Sequence, residues 1–177
     1  MERIGFDEWN RANDRLAGIA GAEDDLVRRF PADEAGIRAY RRYFPLTIAA
    51  MVPGTSAIIA ELQQAGVTIG ALTNWAAEPF AIAQQKFGIL GRFQDTVVSG
   101  AEGIVKPDPA IYRLACERLG VGLQQAVFID DTPANAQAAG DLGMTGLHFT
   151  TAQRLRDDLV GLGLLGARAP IGEPVYH

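Results

Sequence analysis

From Thr55 onward the chain alternates two kinds of segment, and that alternation restricts the folds open to it. "TSAIIAELQQAG" places Ile58, Ile59 and Leu62 at helical spacing and stops at Gly66. "VTIGALTN" (67–74) is a short apolar run ending in polar residues, as a strand entering a loop does. The pattern repeats: helix in "EPFAIAQQKFGI", strand in "DTVVSG" (95–100), helix in "DPAIYRLACERLG" closed by Gly120, strand in "AVFIDD" (126–131). Helix in "PANAQAAGDLG", strand in "GLHFT" (146–150) and helix in "TAQRLRDDLVGLG" complete it. The strands are continuously apolar rather than alternating. They predict an α/β fold, a Rossmann-like parallel sheet with flanking helices on both faces.

Residues 1–50 are of another kind. "FDEWNRANDRLAGIAGAEDDLVRRF" and "DEAGIRAYRRYFPLTIAAM" are polar-rich helical segments with aromatic anchors and no strand, and "VPG" (52–54) closes them off with a turn. The predicted organisation is a partial helical cap over 1–50, an α/β core over 51–165 and a C-terminal tail over 166–177. A length of 177 residues suits one domain with a small appendage, and a 48% hydrophobic, 21% charged composition suits a globular protein. A formal charge of -5 gives nucleic acid and anionic membranes no footing. No stretch approaches the ~20 apolar residues of a membrane span, and "MERIGFDEWN" has no signal core. Cys116 is the single cysteine, expected as a buried, inert thiol in a cytoplasmic chain without disulfides. Arg38, Arg41 and Arg42 are expected to form a solvated helix face.

Open parallel sheets bind ligands beyond the carboxyl ends of their strands. Those ends are Thr73-Asn74, Ser99-Gly100, Asp130-Asp131 and Thr150. Asp130 and Asp131 could hold a hard cation such as Mg2+, or Asp131 could simply cap the next helix. Lys106, in "VKPDP", precedes a turn fixed by Pro107 and Pro109 and could set a cation over a phosphate; it could equally be a surface lysine. Thr73 and Asn74 can grip phosphoryl oxygens without adding charge, or form an ordinary turn. Asn135 and Asp108 can orient neighbours. Together these residues sketch a phosphoryl-transfer site without a nucleophile. Trp9, Tyr40, Tyr43 and Phe44 could line a small pocket or form the core of the helical unit, and Trp75 could line an entrance or pack beneath it.

"ALTNW", "VVSGAEGIVKPDPAIYRLACERLG" and "VFIDDTPANAQAAGDLGM" resemble motifs II, III and IV of the haloacid dehalogenase-like (HAD) hydrolases. The phosphatase branch related to the N-terminal domain of soluble epoxide hydrolase is the most similar. The resemblance implies a Mg2+-dependent phosphatase that forms an aspartyl-phosphate intermediate from a small phosphate monoester. By motif, Thr73 and Asn74 would hold the phosphoryl group and Lys106 would stabilise it together with the nucleophile. Asp131 would bind Mg2+ directly, supported by Asp130, with Asn135 behind them. Motif I, a strand ending in Asp-x-Asp, has no counterpart: Asp7 in "RIGFDEWN" is followed two residues on by Trp9 and is expected to be a cap residue. The family's first strand lies between those ending at Asn74 and Asp131, so its neighbours are expected to expose their edges or collapse together. As printed, the chain is expected to be inactive.

Two other readings stay open. A 2-haloacid dehalogenase-like hydrolase shares "KPDP" but typically has serines where this chain has its acidic pair. A non-catalytic binding or regulatory fragment fits the missing nucleophile. A receiver domain has its lysine after the acidic pair, the reverse of the order here. A homodimer is compatible with all of these.

Overall fold

The computed structural model describes residues 5–48 and 50–166. Three helices open the chain: α1 (Phe6–Asn13), α2 (Ala20–Arg29) and α3 (Glu34–Thr47). The core then runs α4 (Thr55–Gln64), β1 (Ala71–Thr73), α5 (Ala77–Lys86), β2 (Thr96–Val98) and the single turn α6 (Ser99–Glu102). It continues with α7 (Pro109–Leu119), β3 (Val127–Asp130), α8 (Pro133–Asp141), β4 (Thr145–His148) and α9 (Ala152–Gly161). Asp7 falls within the helix α1, but its side chain and the tail beyond Gly166 lie outside the described residues.

The sheet is parallel but divided. β1 pairs with β2, from Ala71 opposite Thr96 to Thr73 opposite Val98, and β3 pairs with β4, from Val127 opposite Thr145 to Asp130 opposite His148. Among the described residues no strand joins β1 to β3, so the two pairs are separate two-stranded sheets. Every strand is shorter than its apolar run. Val67–Gly70 precede β1 without entering the ladder, and Ser99 leaves β2 to start α6 rather than extending it to residue 100. β3 stops at Asp130 instead of 131, and β4 spans 145–148 instead of 146–150. A ladder needs a partner at each position, and each inner strand here has a partner on one side only.

Helices carry the two half-sheets instead. On one face, Ile58 and Leu62 of α4 pack with Leu155 and Leu159 of α9, against Ile69 before β1 and Leu147 in β4. On the other, Ile111 and Tyr112 of α7 and Ala139 of α8 pack against Leu72, Val97 and Phe128. Arg156 of α9 pairs with Glu61 of α4, reinforcing the first face. Pro109 and Pro133 occupy the first turns of α7 and α8, where a missing N–H costs nothing. Gly120 ends α7 in the left-handed conformation. Gly146 lets α8 lie directly on β4, since a Cβ there would collide with the main-chain oxygen of Ala136.

The helical unit holds a surprise in its arginines. Arg38 bonds Glu34 and Asp24 on the surface, as a solvated face would. Arg41 does more: its Nε donates to Oε2 of Glu23 at 2.9 Å, and the Glu23 side chain is only 1% exposed. Burial pushes the Glu23 carboxyl up, and Arg41 draws it back. The aromatic residues settle as packing: Trp9, Tyr40, Phe44, Trp75 and Phe80 form a chain of edge-on contacts with centroids 5.8–5.9 Å apart, linking the helical unit to α5. Tyr43 remains exposed. Cys116 is buried, and burial raises its thiol pKa, consistent with an inert residue.

Gly146→Ala is expected to cost about 1–3 kcal/mol, because the backbone oxygen it meets cannot swing aside as a side chain can. Urea denaturation of the two proteins checks this.

Candidate active site

The carboxyl ends of β1 and β3 meet around one buried ion pair. Lys106 Nζ donates to Asp130 Oδ2 at 2.6 Å and to the carbonyl of Leu72 at 3.1 Å. The side chains are 9% and 6% exposed, and the ammonium lies 5.4 Å from the centroid of the Phe128 ring. Lys106 thus bridges the two half-sheets. Its main chain is fixed by Asn74, which donates from Nδ2 to the Lys106 carbonyl at 3.0 Å and accepts the Lys106 N–H on Oδ1 at 2.8 Å. The Asn74 amide is therefore engaged in positioning the lysine. Any grip on a phosphoryl group falls to main-chain N–H groups and to Thr73, the half-buried last residue of β1.

Asp130 is held on both oxygens. Besides Lys106, it accepts the Thr132 N–H at 2.8 Å and Asn135 Nδ2 at 3.1 Å, both on Oδ1. Burial opposes its ionisation, but the bonds from Lys106, Thr132 and Asn135 outweigh that and hold its pKa below the ordinary carboxylate value. Asn135 is buried, and its carbonyl accepts the Tyr112 hydroxyl at 3.0 Å. Burial, with Asp130 nearby, pushes the Tyr112 pKa up to about 12, so it stays a donor.

Asp131 has a different situation. Successive strand residues point to opposite sides, and Asp131 is exposed at the top of β3. Its carboxylate has no hydrogen-bond partner among the described residues, while its carbonyl lies 3.1 Å from His148 Nε2, which donates in the Nε2–H tautomer. Among the described residues, no three His, Cys, Asp or Glu side chains gather as a ready metal cage. Asp108 stands apart from the ion pair: its Oδ1 accepts the Ala110 N–H at 2.9 Å and caps α7.

Two contributors escaped the sequence reading. Asp14, just after α1, is half-buried; burial raises its pKa while the charge on Lys106 pulls it down, which places its carboxyl in the electrostatic reach of the site. Ser99, fully buried, donates to the Asp14 carbonyl at 2.5 Å and accepts the Trp75 N–H at 2.8 Å. The segment after Asp14 is further tied to α5, whose Ala77 and Glu78 N–H groups donate to the carbonyls of Leu16 and Ala17. Ser99 was visible as a strand end, but no spacing rule connects residues 85 positions apart.

Residues 3–143 match the family described as haloacid dehalogenase-like hydrolase. The chain belongs to that family. It is 33% identical over 135 residues to phosphoglycolate phosphatase of Rhodospirillum rubrum, covering 71% of this chain and 56% of that protein. It is also 33% identical over 111 residues to flavin mononucleotide hydrolase 1 of Arabidopsis thaliana, covering 63% and 45%. The chain thus spans about half the length of these curated relatives. A HAD family enzyme from Bacteroides thetaiotaomicron, solved as a magnesium complex, shares the fold with a TM-score of 0.57 and 19% identity over 75% of this chain and 69% of that one. No helix among the described residues of this HAD-like chain is long and apolar enough to cross a membrane.

Lys106→Met should leave Asp130 buried without its cation and cost about 3–5 kcal/mol at neutral pH. Asp130 has a lowered pKa, so its contribution is fully present above its unfolded value, about 3.9, and is lost as pH falls through the folded one. The deficit of the variant should therefore shrink on acidification, and Asp130→Asn in the same protein should recover part of it. Urea titrations at neutral and acidic pH read both effects.

Proposed function

We propose that this chain carries the phosphate- and cation-binding half of a Mg2+-dependent phosphatase for small phosphate monoesters, working through an aspartyl-phosphate intermediate. The phosphatase branch near the soluble epoxide hydrolase N-terminal domain is its proposed place within the family. The observation that carries the reading is Lys106, locked between Leu72 and Asp130, with the exposed carboxylate of Asp131 following Asp130 in the chain. The phosphatase relatives support the same substrate class.

The donor set suits a hard cation that brings its own water and phosphate oxygens. Mg2+ commonly takes only one or two protein carboxylates together with substrate phosphates. Asp131 would be the direct ligand, since both oxygens of Asp130 are already engaged. When bound, the ion would neutralise charge on the phosphoryl oxygens. Lys106 would stabilise those oxygens from the other side, and Thr73 with adjacent main-chain N–H groups would orient them. Asn74, Asn135 and Tyr112 would act by holding Lys106 and Asp130 in place. Asp130 is consumed by its partners and Asp131 is assigned to the cation, so neither of this adjacent pair is available as nucleophile. On this reading the chain alone binds phosphate without turning over its esters.

Inorganic phosphate should bind the chain in the presence of Mg2+, seen as line broadening in 31P NMR, with no hydrolysis of p-nitrophenyl phosphate. Asp131→Asn, at an exposed residue whose loss leaves the fold intact, should abolish the Mg2+ dependence and weaken binding about tenfold, in keeping with about 1.4 kcal/mol. Phosphate binding that ignores both Mg2+ and this substitution overturns the reading.

A further inference from the structure

The helical unit rests on the strand ends that carry the candidate site. The Ser99 hydroxyl donates to the Asp14 carbonyl at 2.5 Å and accepts the Trp75 N–H at 2.8 Å. Gly100 donates its N–H to the Trp75 carbonyl, and a Cβ on it would collide with the carbonyl of Leu16. The chain just after α1 is therefore seated on residues 75 and 99–100, next to Thr73 and Asn74. A phosphate held at Thr73 and Lys106 would have Asp14 as a near neighbour, since burial raises the pKa of that carboxyl and the charge on Lys106 lowers it.

Polar side chains at this seat are short of partners. The Asp14 carboxylate is half-buried and accepts no hydrogen bond among the described residues. Glu23, 0% exposed, gives Oε2 to Arg41 and leaves Oε1 unpartnered, and Asn13, 4% exposed, leaves Nδ2 unpartnered. These groups converge. Asn13 lies three residues beyond Asn10 on the same face of α1, and Asn10 Oδ1 accepts the Tyr40 hydroxyl at 2.8 Å. Burial raises the Tyr40 pKa and the charges of Asp14 and Glu23 add to it, so both carboxylates lie within reach of that hydroxyl.

Buried polar atoms without partners are costly, and a ligand that supplies the partners recovers that cost on binding. Charge decides what kind of ligand. Arg41 is shared between Glu23 and Glu78, Arg38 is taken by Glu34 and Asp24 on the surface, and Lys106 is paired with Asp130. The carboxylates around Asp14 and Glu23 thus outnumber the cations left to offset them. A neutral hydroxyl would satisfy the free oxygens and leave that excess in place, whereas a protonated amine satisfies them and cancels it. We propose that Asp14 and the free oxygen of Glu23 form a subsite for a protonated amine, so that the ester taken at the phosphate site is that of an amino alcohol. The inference rests on the phosphatase reading above and narrows its substrate class. Asn13 Nδ2, a donor, suits an oxygen carried beside the amine.

The test compares inorganic phosphate, ethyl phosphate, 2-hydroxyethyl phosphate and 2-aminoethyl phosphate as ligands of the full chain with Mg2+, each titrated by 31P NMR. The amino ester should bind about tenfold more tightly than the ethyl ester, as a charge-assisted hydrogen bond allows. Asp14→Asn, isosteric at a side chain without a hydrogen bond, should remove that preference. The quantity read is a ratio of two ligands on one protein, which a general loss of stability does not change. Equal affinity for the ethyl and amino esters overturns the proposal. So does a hydroxyethyl ester that binds as tightly as the amino ester, or a preference that survives Asp14→Asn. Inorganic phosphate separates the two readings: if it binds while the esters tie, the amine subsite alone falls. If neither it nor any ester binds, the phosphatase reading falls and the subsite with it.

Discussion

The buried pair of Lys106 and Asp130 sits where two half-sheets would otherwise have no connection, and the geometry of the site follows from it. A buried ion pair persists only when the remaining donors and acceptors around it are satisfied. Here most are: the lysine donates a second proton to Leu72, and the aspartate accepts from Thr132 and Asn135. The bond to Thr132 fixes the turn that launches α8. Asn74 fixes the lysine main chain at the end of β1. One interaction therefore sets the relative position of both strand ends.

Cohesion of the core comes from a different source. Backbone ladders hold each pair of strands but do not cross between them. What crosses is apolar packing: α4 with α9 on one face and α7 with α8 on the other each touch side chains from both half-sheets. Helix packing is tolerant of a missing ladder because it depends on buried area rather than on register. That tolerance explains why the two halves keep a common strand direction with a cavity between them, instead of collapsing edge to edge.

The repeating pattern of helices and strands was legible because it is local. Glycine stops and proline starts are each written within a few residues, and the structure places them as expected, while Asp108 turns out to cap α7. The convergence of Thr73, Asn74, Lys106 and Asp130 was legible too, since strand ends of a parallel sheet share one edge. Strand length was not, because an apolar run does not reveal how many of its residues find a ladder partner. The role of Asn74 was hidden for a related reason. An amide at a strand end suits a phosphate or a main chain equally, and only the position of Lys106 decides. Arg41 and Glu23 lie on different helices, and Asp14 meets Ser99 across 85 positions; neither pairing leaves a periodic trace.

Adjacent aspartates closing a strand seem at first a conflict of like charges, and the fold resolves it by direction. Asp130 turns inward to a lysine that holds it ionised; Asp131 turns outward to solvent, where screening is strong. The cost of the pair is small because the two carboxylates do not share a space. The charge left over is informative. Lys106 is neutralised by Asp130, and Asp131 adds a negative charge that nothing in the described site offsets. A phosphate dianion approaching such an edge meets net repulsion unless a cation arrives with it. On the proposed reading, the placement of Asp131 would tie phosphate affinity to a divalent ion through simple electrostatics.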